Sequence, residues 1–445
     1  MKEVSGYLYR AIGIVVIGSL LFGINMAAVS GAVSLVQAAF TLSDFQIGIV
    51  VSAMIIGCMI GAFTAGSLSD KRGRKATFIY AAILFSISAI GCYIANSMWV
   101  LAFARILGGI GVGTVSVVVP TYISEVSPAK VRGTLGTLNQ LGIVIGILLA
   151  YIIDYAASPL ENNWRIMLGQ PLPFALLFLF LLIFFLPESP RWLINAKKEK
   201  KAAVILEKMG GRIYALEVMA SVKGVQSESV QQTSLSSLFK GGMGKVIGIG
   251  ILLATFQQVT GINAVISYAP VIFQQSGVGG DTALLQSILV GVVNFLFTLV
   301  ALWVIDRAGR KVLLLYGAAG MSVFLFYLTY SFTVDSQGIG VLISLLGYIA
   351  FFAASWAPVM WIVTSEIYPN NIRGAAMSVS TAISWVCTFI LVQFFPWMLS
   401  NLGGAVTFGL FGIFSVLAWV FTKTMVPETK GKSLEEIEQE LGIDN

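Results

Sequence analysis

Histidine is absent from the 445 residues. That excludes an imidazole general base, a His-ligated metal and the commonest proton shuttle near neutral pH. Charge is scarce too: 11% of residues are Asp, Glu, Lys or Arg, against roughly 25% in a soluble globular chain. Only three cysteines occur, Cys58, Cys92 and Cys387. Each lies inside an apolar run, so they read as small buried hydrophobes rather than as a disulfide framework. No nucleophile–base pair or metal-ligand cluster appears, which leaves an enzyme or a resident cofactor without support. What the chain does hold is apolar surface: 57% hydrophobic residues and a mean hydropathy of +0.89. This is the composition of an integral membrane protein whose surroundings are a lipid bilayer.

Twelve apolar runs predict twelve spanning helices, at 11–40, 45–69, 76–96, 98–123, 134–156, 165–187, 246–276, 283–305, 312–333, 338–365, 375–398 and 404–426. The net charge of +6 could suggest nucleic acid. The basic residues, however, sit in short loops between apolar runs, the distribution of the positive-inside rule, so a nucleic-acid partner is rejected. All but Arg105 and Arg165 of the 27 Lys and Arg residues fall at the termini or in alternate loops, while Asp44, Asp154, Glu161, Asp281 and Asp335 mark the opposite face. Both termini and the long middle loop are therefore expected to be cytoplasmic.

The two halves of the sequence echo each other. Asp70-Lys-Arg-Gly-Arg74-Lys75 returns as Asp306-Arg-Ala-Gly-Arg310-Lys311. Glu125-Val-Ser-Pro-Ala-Lys-Val-Arg132 returns as Glu366-Ile-Tyr-Pro-Asn-Asn-Ile-Arg373, and Pro187-Glu188-Ser-Pro-Arg191 returns as Pro427-Glu428-Thr-Lys430. Three echoes in register predict an all-α membrane protein of two pseudo-symmetric six-helix halves, 1–187 and 246–426. A charged linker, 188–245, joins them, and an acidic tail, 427–445, follows with Ser-Leu-Glu-Glu-Ile-Glu-Gln-Glu-Leu as a short exposed helix. Parallel halves of this kind characterise transporters that rock about a central site. The residues from about 197 to 245 read as short amphipathic helices, with a loose linker as the alternative. The acids Asp70, Glu125, Asp306 and Glu366 recur beside Arg74, Arg132, Arg310 and Arg373. Topogenic charge explains the arginines alone, so ion pairs closing an inner gate are the favoured reading.

The stretch Thr255 to Pro270, TFQQVTGINAVISYAP, puts Gln257, Gln258 and Asn263 where lipid-facing apolar residues would be expected. Buried amides are costly unless hydrogen-bonded. Gly261, between them, is a place for the helix to break and aim them at a cavity. An amide donates and accepts, as a polyhydroxylated neutral solute requires. The alternative is amides binding helix to helix.

The Asp-Lys-Arg-Gly-Arg-Lys and Asp-Arg-Ala-Gly-Arg-Lys loops resemble those of the major facilitator superfamily. Pro-Glu-Ser-Pro-Arg-Trp-Leu, Pro-Glu-Thr-Lys-Gly-Lys-Ser, the two Glu…Arg-Gly loops and Gln-Gln-Val-Thr-Gly-Ile-Asn resemble more narrowly its sugar porter family, along essentially the whole chain. The resemblance implies a major facilitator fold that moves a monosaccharide by alternating access, with a monomer as the functional unit. It implies that Gln140, Gln257, Gln258, Asn263, Asn294 and Trp361 contact the sugar. Two family asparagine positions are here Ser384 and Thr388, flanking Trp385, a departure bearing on which sugar fits. Packing remains the alternative for Trp361 and Trp385, and is the favoured reading for Phe22.

Proton-coupled members carry an aspartate in a Phe-Gly-Tyr-Asp pattern; this chain reads Phe22-Gly23-Ile24-Asn25. Arg105 stands where the family places the partner of that aspartate, and should hydrogen-bond Asn25, a carbonyl or water. An amide takes up no proton near neutral pH, so a facilitative uniporter is expected. A proton–sugar symporter, a transport-inactive sensor and a drug exporter are the rivals. The short loops and tail favour a bacterial inner membrane.

Overall fold

The computed structural model describes residues 5–128, 131–226, 243–334, 338–369, 373–432 and 436. In chain order its helices are α1 Gly6–Ala27, α2 Val33–Ala39, α3 Asp44–Arg72, α4 Arg74–Ile94, α5 Met98–Val126, α6 Arg132–Ala157, α7 Asn163–Gly169 and α8 Pro171–Phe184. They continue as α9 Pro190–Asn195, α10 Glu199–Gln226, α11 Met243–Val259, α12 Ile262–Gln275, α13 Gly280–Ala308, α14 Arg310–Thr333 and α15 Ile339–Phe351. A π-helical turn, Phe352–Trp356, joins α15 to α16 Ala357–Ile367, followed by α17 Arg373–Asn401 and α18 Gly403–Met425. No strand occurs among the described residues. Twelve stretches are long and apolar enough to cross a membrane, the number the hydropathy pattern gives. Hydrocarbon offers no water to unpaired N–H and C=O groups, so the helix, which pairs them internally, is the form such runs take.

Three expectations need correction. The run 11–40 is not one helix: α1 ends at Ala27 and a turn leads into α2. In that turn Gly31 gives its N–H to the wholly buried Asp154 carboxylate at 3.0 Å, so the break strands no donor there. The run 165–187 divides at Gln170, because Pro171 lacks the N–H needed to continue a helical ladder. Cys387 is half-buried, unlike Cys58 and Cys92. In the linker, α9 and α10 are helical, α10 with a kink at Gly211. Asp335 and nearly all of the expected tail helix lie outside the described residues.

Packing sorts the chain into two compact units. The first comprises 1–28, 53–150 and 165–231. There α4 lies along α5 and α8, and α1 against α5. A Cβ on Gly109 of α5 would fall 1.9 Å from the Met54 carbonyl oxygen of α3, so a glycine is what lets these two backbones touch. The second unit comprises 29–52, 151–164 and 232–445. In it α14 packs on α15 and α18, and α11 on α17. Phe395, Phe408 and Phe411 form its aromatic centre, with the Phe395 and Phe411 rings stacked at 6.2 Å. Large apolar side chains such as Phe63, Phe103, Phe184 and Tyr316 point outward, an arrangement suited to lipid rather than water.

Candidate functional site

The second unit is built around the interruption between α11 and α12. Gly261 takes φ 95°, and a Cβ there would lie 2.4 Å from the Phe411 ring. Both the left-handed backbone and the missing space demand glycine. The Thr260 carbonyl receives the Tyr348 hydroxyl at 3.0 Å, and the Thr260 hydroxyl turns back to the Gln257 carbonyl at 3.1 Å.

The amides expected at this break form one connected set. Asn263 Nδ2 donates to Gln258 Oε1 at 2.7 Å, and Gln258 Nε2 donates to Gln257 Oε1 at 3.0 Å and to Ser384 Oγ at 2.9 Å. Gln257 Nε2 in turn reaches the Trp356 carbonyl at 3.0 Å, at the end of the π-helical turn. Ser384 on α17 thus accepts from the α11 amide. Thr388 is committed to its own helix, its hydroxyl donating to the Ser384 carbonyl at 2.8 Å. Asn294 is buried on α13, while Trp361 on α16 and Trp385 on α17 are half-buried. The linked set of Gln257, Gln258, Asn263 and Ser384 can offer neutral donors and acceptors, the chemistry that hydroxyls call for.

Two prolines flank it, Pro270 in the kinked α12 and Pro396 inside the continuous α17. Pro270 has no N–H for the Ile266 carbonyl, which instead receives the Tyr151 hydroxyl at 2.8 Å. Pro396 likewise frees the Val392 carbonyl, which receives the Tyr268 hydroxyl at 3.0 Å. Gln393, beside it, accepts from Ser52 Oγ at 2.7 Å and donates to the Phe45 carbonyl at 3.1 Å. Sequence reading missed Gln393, Tyr151 and Tyr268. The signal for the two tyrosine contacts was a proline four residues after each freed carbonyl.

In the first unit, Gln140 is half-buried on α6 with no hydrogen bond among the described residues, while its neighbour Asn139 accepts from Ser19 at 2.8 Å. Phe22 is half-buried on α1. Asn25 is buried and spends its N–H on the Leu21 carbonyl at 2.8 Å. A Cβ on Gly108, one turn along α5 from Arg105, would come within 3.3 Å of Asn25 Oδ1. Arg105 is buried, 4% exposed, with Nη2 3.9 Å from the Met54 sulfur.

The paired motifs assemble alike in both units. Arg74 grips Glu125 through two bonds, Nε–Oε2 at 3.0 Å and Nη2–Oε1 at 2.8 Å, and reaches Asp70 at 3.0 Å. Arg310 pairs with Glu366 at 3.2 Å, and Glu366 also accepts from the Thr429 hydroxyl. Arg373 donates to the Tyr368 carbonyl at 3.1 Å; the side chains of Arg132 and Asp306 lie outside the described residues. Each pair closes within its own unit. Sequence reading also missed the acids that complete these clasps. Glu188 accepts the Arg74 and Lys75 N–H groups at 2.9 and 3.2 Å, and Glu428 those of Arg310 and Lys311 at 2.9 and 3.1 Å. The echo of Pro-Glu-Ser-Pro in Pro-Glu-Thr was their trace. Burial pushes the Glu188 carboxyl above its ordinary range, against the pull of three backbone N–H groups and Arg74. Burial acts the same way on Glu428, but four backbone N–H donors outweigh it and its carboxyl lies below that range.

Comparison with known proteins bears on what these parts belong to. The family model described as "Sugar (and other) transporter" matches residues 11–441. The arabinose-proton symporter of Bacillus subtilis is 38% identical over 95% of this chain and 92% of its own. The D-xylose-proton symporter of Escherichia coli is 37% identical over 98% of this chain and 96% of its own. An inward-open structure of the xylose transporter XylE from E. coli superposes with a TM-score of 0.87 at 35% identity, covering 97% of this chain and 99% of that one. Twelve membrane-spanning helices, paired motif clasps and these whole-length likenesses make the chain an integral membrane protein of the sugar porter family of the major facilitator superfamily, a family of transporters rather than enzymes.

Proposed function

We propose that this chain carries a monosaccharide across the bilayer by alternating access, as a facilitative uniporter. The observation that supports the substrate class is the linked set Gln257, Gln258, Asn263 and Ser384 at a broken helix. Each neutral hydrogen bond nets only about 0.5–1.5 kcal/mol, and millimolar affinity needs only about 4 kcal/mol. Four or five such contacts, with Trp361 or Trp385 against the ring, therefore hold a sugar without trapping it. In this reading Gln140 and Asn294 also face the solute, Thr388 shapes the rim, and Phe22 packs beside them. The clasps of Arg74–Glu125 and Arg310–Glu366 keep the cytoplasmic ends rigid. The protein acts as a monomer in a bacterial inner membrane, both termini cytoplasmic, as two six-helix halves joined by 188–245.

Uniport is supported by Asn25, an amide where coupled family members carry an acid. Symport is the second reading, favoured by the relatives named as proton symporters and by the buried Asp154 carboxylate. Counterflow in proteoliposomes against a panel of unlabelled sugars, at two internal pH values, tests both. Exchange unaffected by pH is expected. Uphill accumulation abolished by a protonophore, or external alkalinisation on solute entry, would overturn uniport; no exchange of any monosaccharide would overturn the substrate class.

A further inference from the structure

An open groove lies between α1 and α8 in the first unit, where the two helices pack together. It has a volume of about 360 Å³ and is lined by Arg10, Gly13, Ile14, Ile17, Leu181 and Phe185. Gly13 is exposed, and a Cβ there would meet nothing within 4 Å. Glycine weakens a helix interior, and no neighbouring backbone claims the space as the Met54 carbonyl does at Gly109. The missing side chain instead opens the floor of the groove. Its wall continues outward through Phe180 and Phe184, 51% and 67% exposed, whose rings meet at 4.9 Å. Exposed rings on a membrane-spanning stretch face hydrocarbon, so the occupant of the groove is drawn from the bilayer.

One end of the groove is cationic. Arg10 stands over the Tyr7 ring at 5.1 Å and the Phe185 ring at 5.9 Å, contacts that hold a guanidinium through its charge. Lys208 of α10 lies over the same Tyr7 ring at 6.0 Å, so two cations share one ring. An anion placed between them relieves their repulsion. Lys75, of the Asp-Lys-Arg-Gly-Arg-Lys motif, gives Nζ to the Ile183 carbonyl at 3.0 Å, which puts Arg10 and that basic motif at the same end of the unit. Positive-inside topology accounts for a cation at that end, but not for an open apolar groove that begins beside it. A guanidinium pairs with two oxygens of a phosphate, and basic pockets between spanning helices suit negatively charged lipid headgroups. We propose that this groove is a site for an anionic phospholipid, an acyl chain laid over Gly13 and Ile17 against Leu181 and the phosphate on Arg10 and Lys208. Occupancy would join α1 to α10, which already meet where Ser5 bonds to the Lys208 and Met209 carbonyls. The site needs neither a carried sugar nor a proton, and so stands apart from the transport reading.

The test uses the full-length protein in detergent, read by native mass spectrometry and thermal unfolding, neither of which involves transport. Dioleoylphosphatidylglycerol is expected to remain as a single tightly held lipid and to raise the unfolding midpoint; dioleoylphosphatidylcholine and inorganic phosphate are expected to do neither. Arg10→Gln should weaken phosphatidylglycerol binding about tenfold, the loss of one charge-assisted pair, and Arg10→Lys should weaken it less. Gly13→Leu should fill the groove and weaken the same binding with Arg10 intact. Its lipid-free unfolding midpoint should match or exceed that of wild type, because leucine favours a helix; Gly13→Met serves the same purpose should leucine lower it. Arg307→Gln removes an exposed cation that lies over Trp303 at 4.1 Å and does not line the groove, and should leave binding unchanged. Equal retention of the two lipids overturns the proposal, as does wild-type affinity in Arg10→Gln. Loss in Arg10→Gln with full affinity in the folded Gly13 variants leaves only a surface cation and overturns the groove. An equal loss in Arg307→Gln assigns the effect to general surface charge, and stabilisation by inorganic phosphate assigns it to a free anion; either result overturns the site.

Discussion

Gln258 is the side chain through which the site's polar set is joined, since it alone contacts Gln257, Asn263 and Ser384. Gln258→Ala is expected to weaken sugar binding about tenfold, one to two neutral hydrogen bonds, measured as the counterflow KM; an unchanged KM would remove it from the site. At Gly261 the backbone and Phe411 act together, so Gly261→Ala should lower the unfolding midpoint and cost more than about 1 kcal/mol. Asn25→Asp places a titratable group near Gly108 and the Arg105 turn; exchange that varies with pH, where the wild type is flat, is expected. Much of this was legible in the sequence. A glycine between amides in an apolar run announced a break, because hydrocarbon makes both features expensive. That Ser384 accepts from Gln258 while Thr388 turns to its own backbone was not, since the two hydroxyls are alike until a rotamer is chosen.

The motif clasps show how elements are terminated by partners far along the chain. Gly73 and Gly309 share φ near 95°, and each opens a helix whose first N–H groups meet a distant glutamate, the geometry that favours an anion at a helix start. The two clasps should answer acid oppositely. A folded-state value raised at Glu188 gives stability that is present below the unfolded-state value and lost as pH rises through the folded one. A value depressed at Glu428 gives stability present above the unfolded-state value and lost as pH falls through the folded one. Around the ordinary glutamate value of about 4.3, Glu428→Gln should flatten the acid side of the unfolding profile, and Glu188→Gln the side just above. Gln393 makes a comparable bond pair, and hydrogen exchange across residues 45–52 is expected to quicken in Gln393→Ala. The repeat of the motifs was visible as sequence. Their closure by Glu188 and Glu428 was not, because a glutamate more than a hundred residues away carries no local signature of the N–H groups it will meet.

For the molecule as a whole, hydropathy and the register of the echoes were enough to count twelve spans and anticipate two halves. The apolar runs overstated continuity at 28–32 and 170, where a turn held by Asp154 and a proline intervene. Because Glu428 and Thr429 close the second unit's clasp, truncation after Val426 should lower thermal stability and abolish exchange. The prolines carry a larger consequence. Tyr151 holds the carbonyl that Pro270 releases, and Tyr268, on the helix so bent, holds the one that Pro396 releases. In a medium without water neither carbonyl can be dropped cheaply, so any swing of α12 must drag Tyr151 with it and push on α17 through Tyr268. The helices are geared rather than hinged separately, and a phenylalanine at either tyrosine would leave a tooth missing from the train.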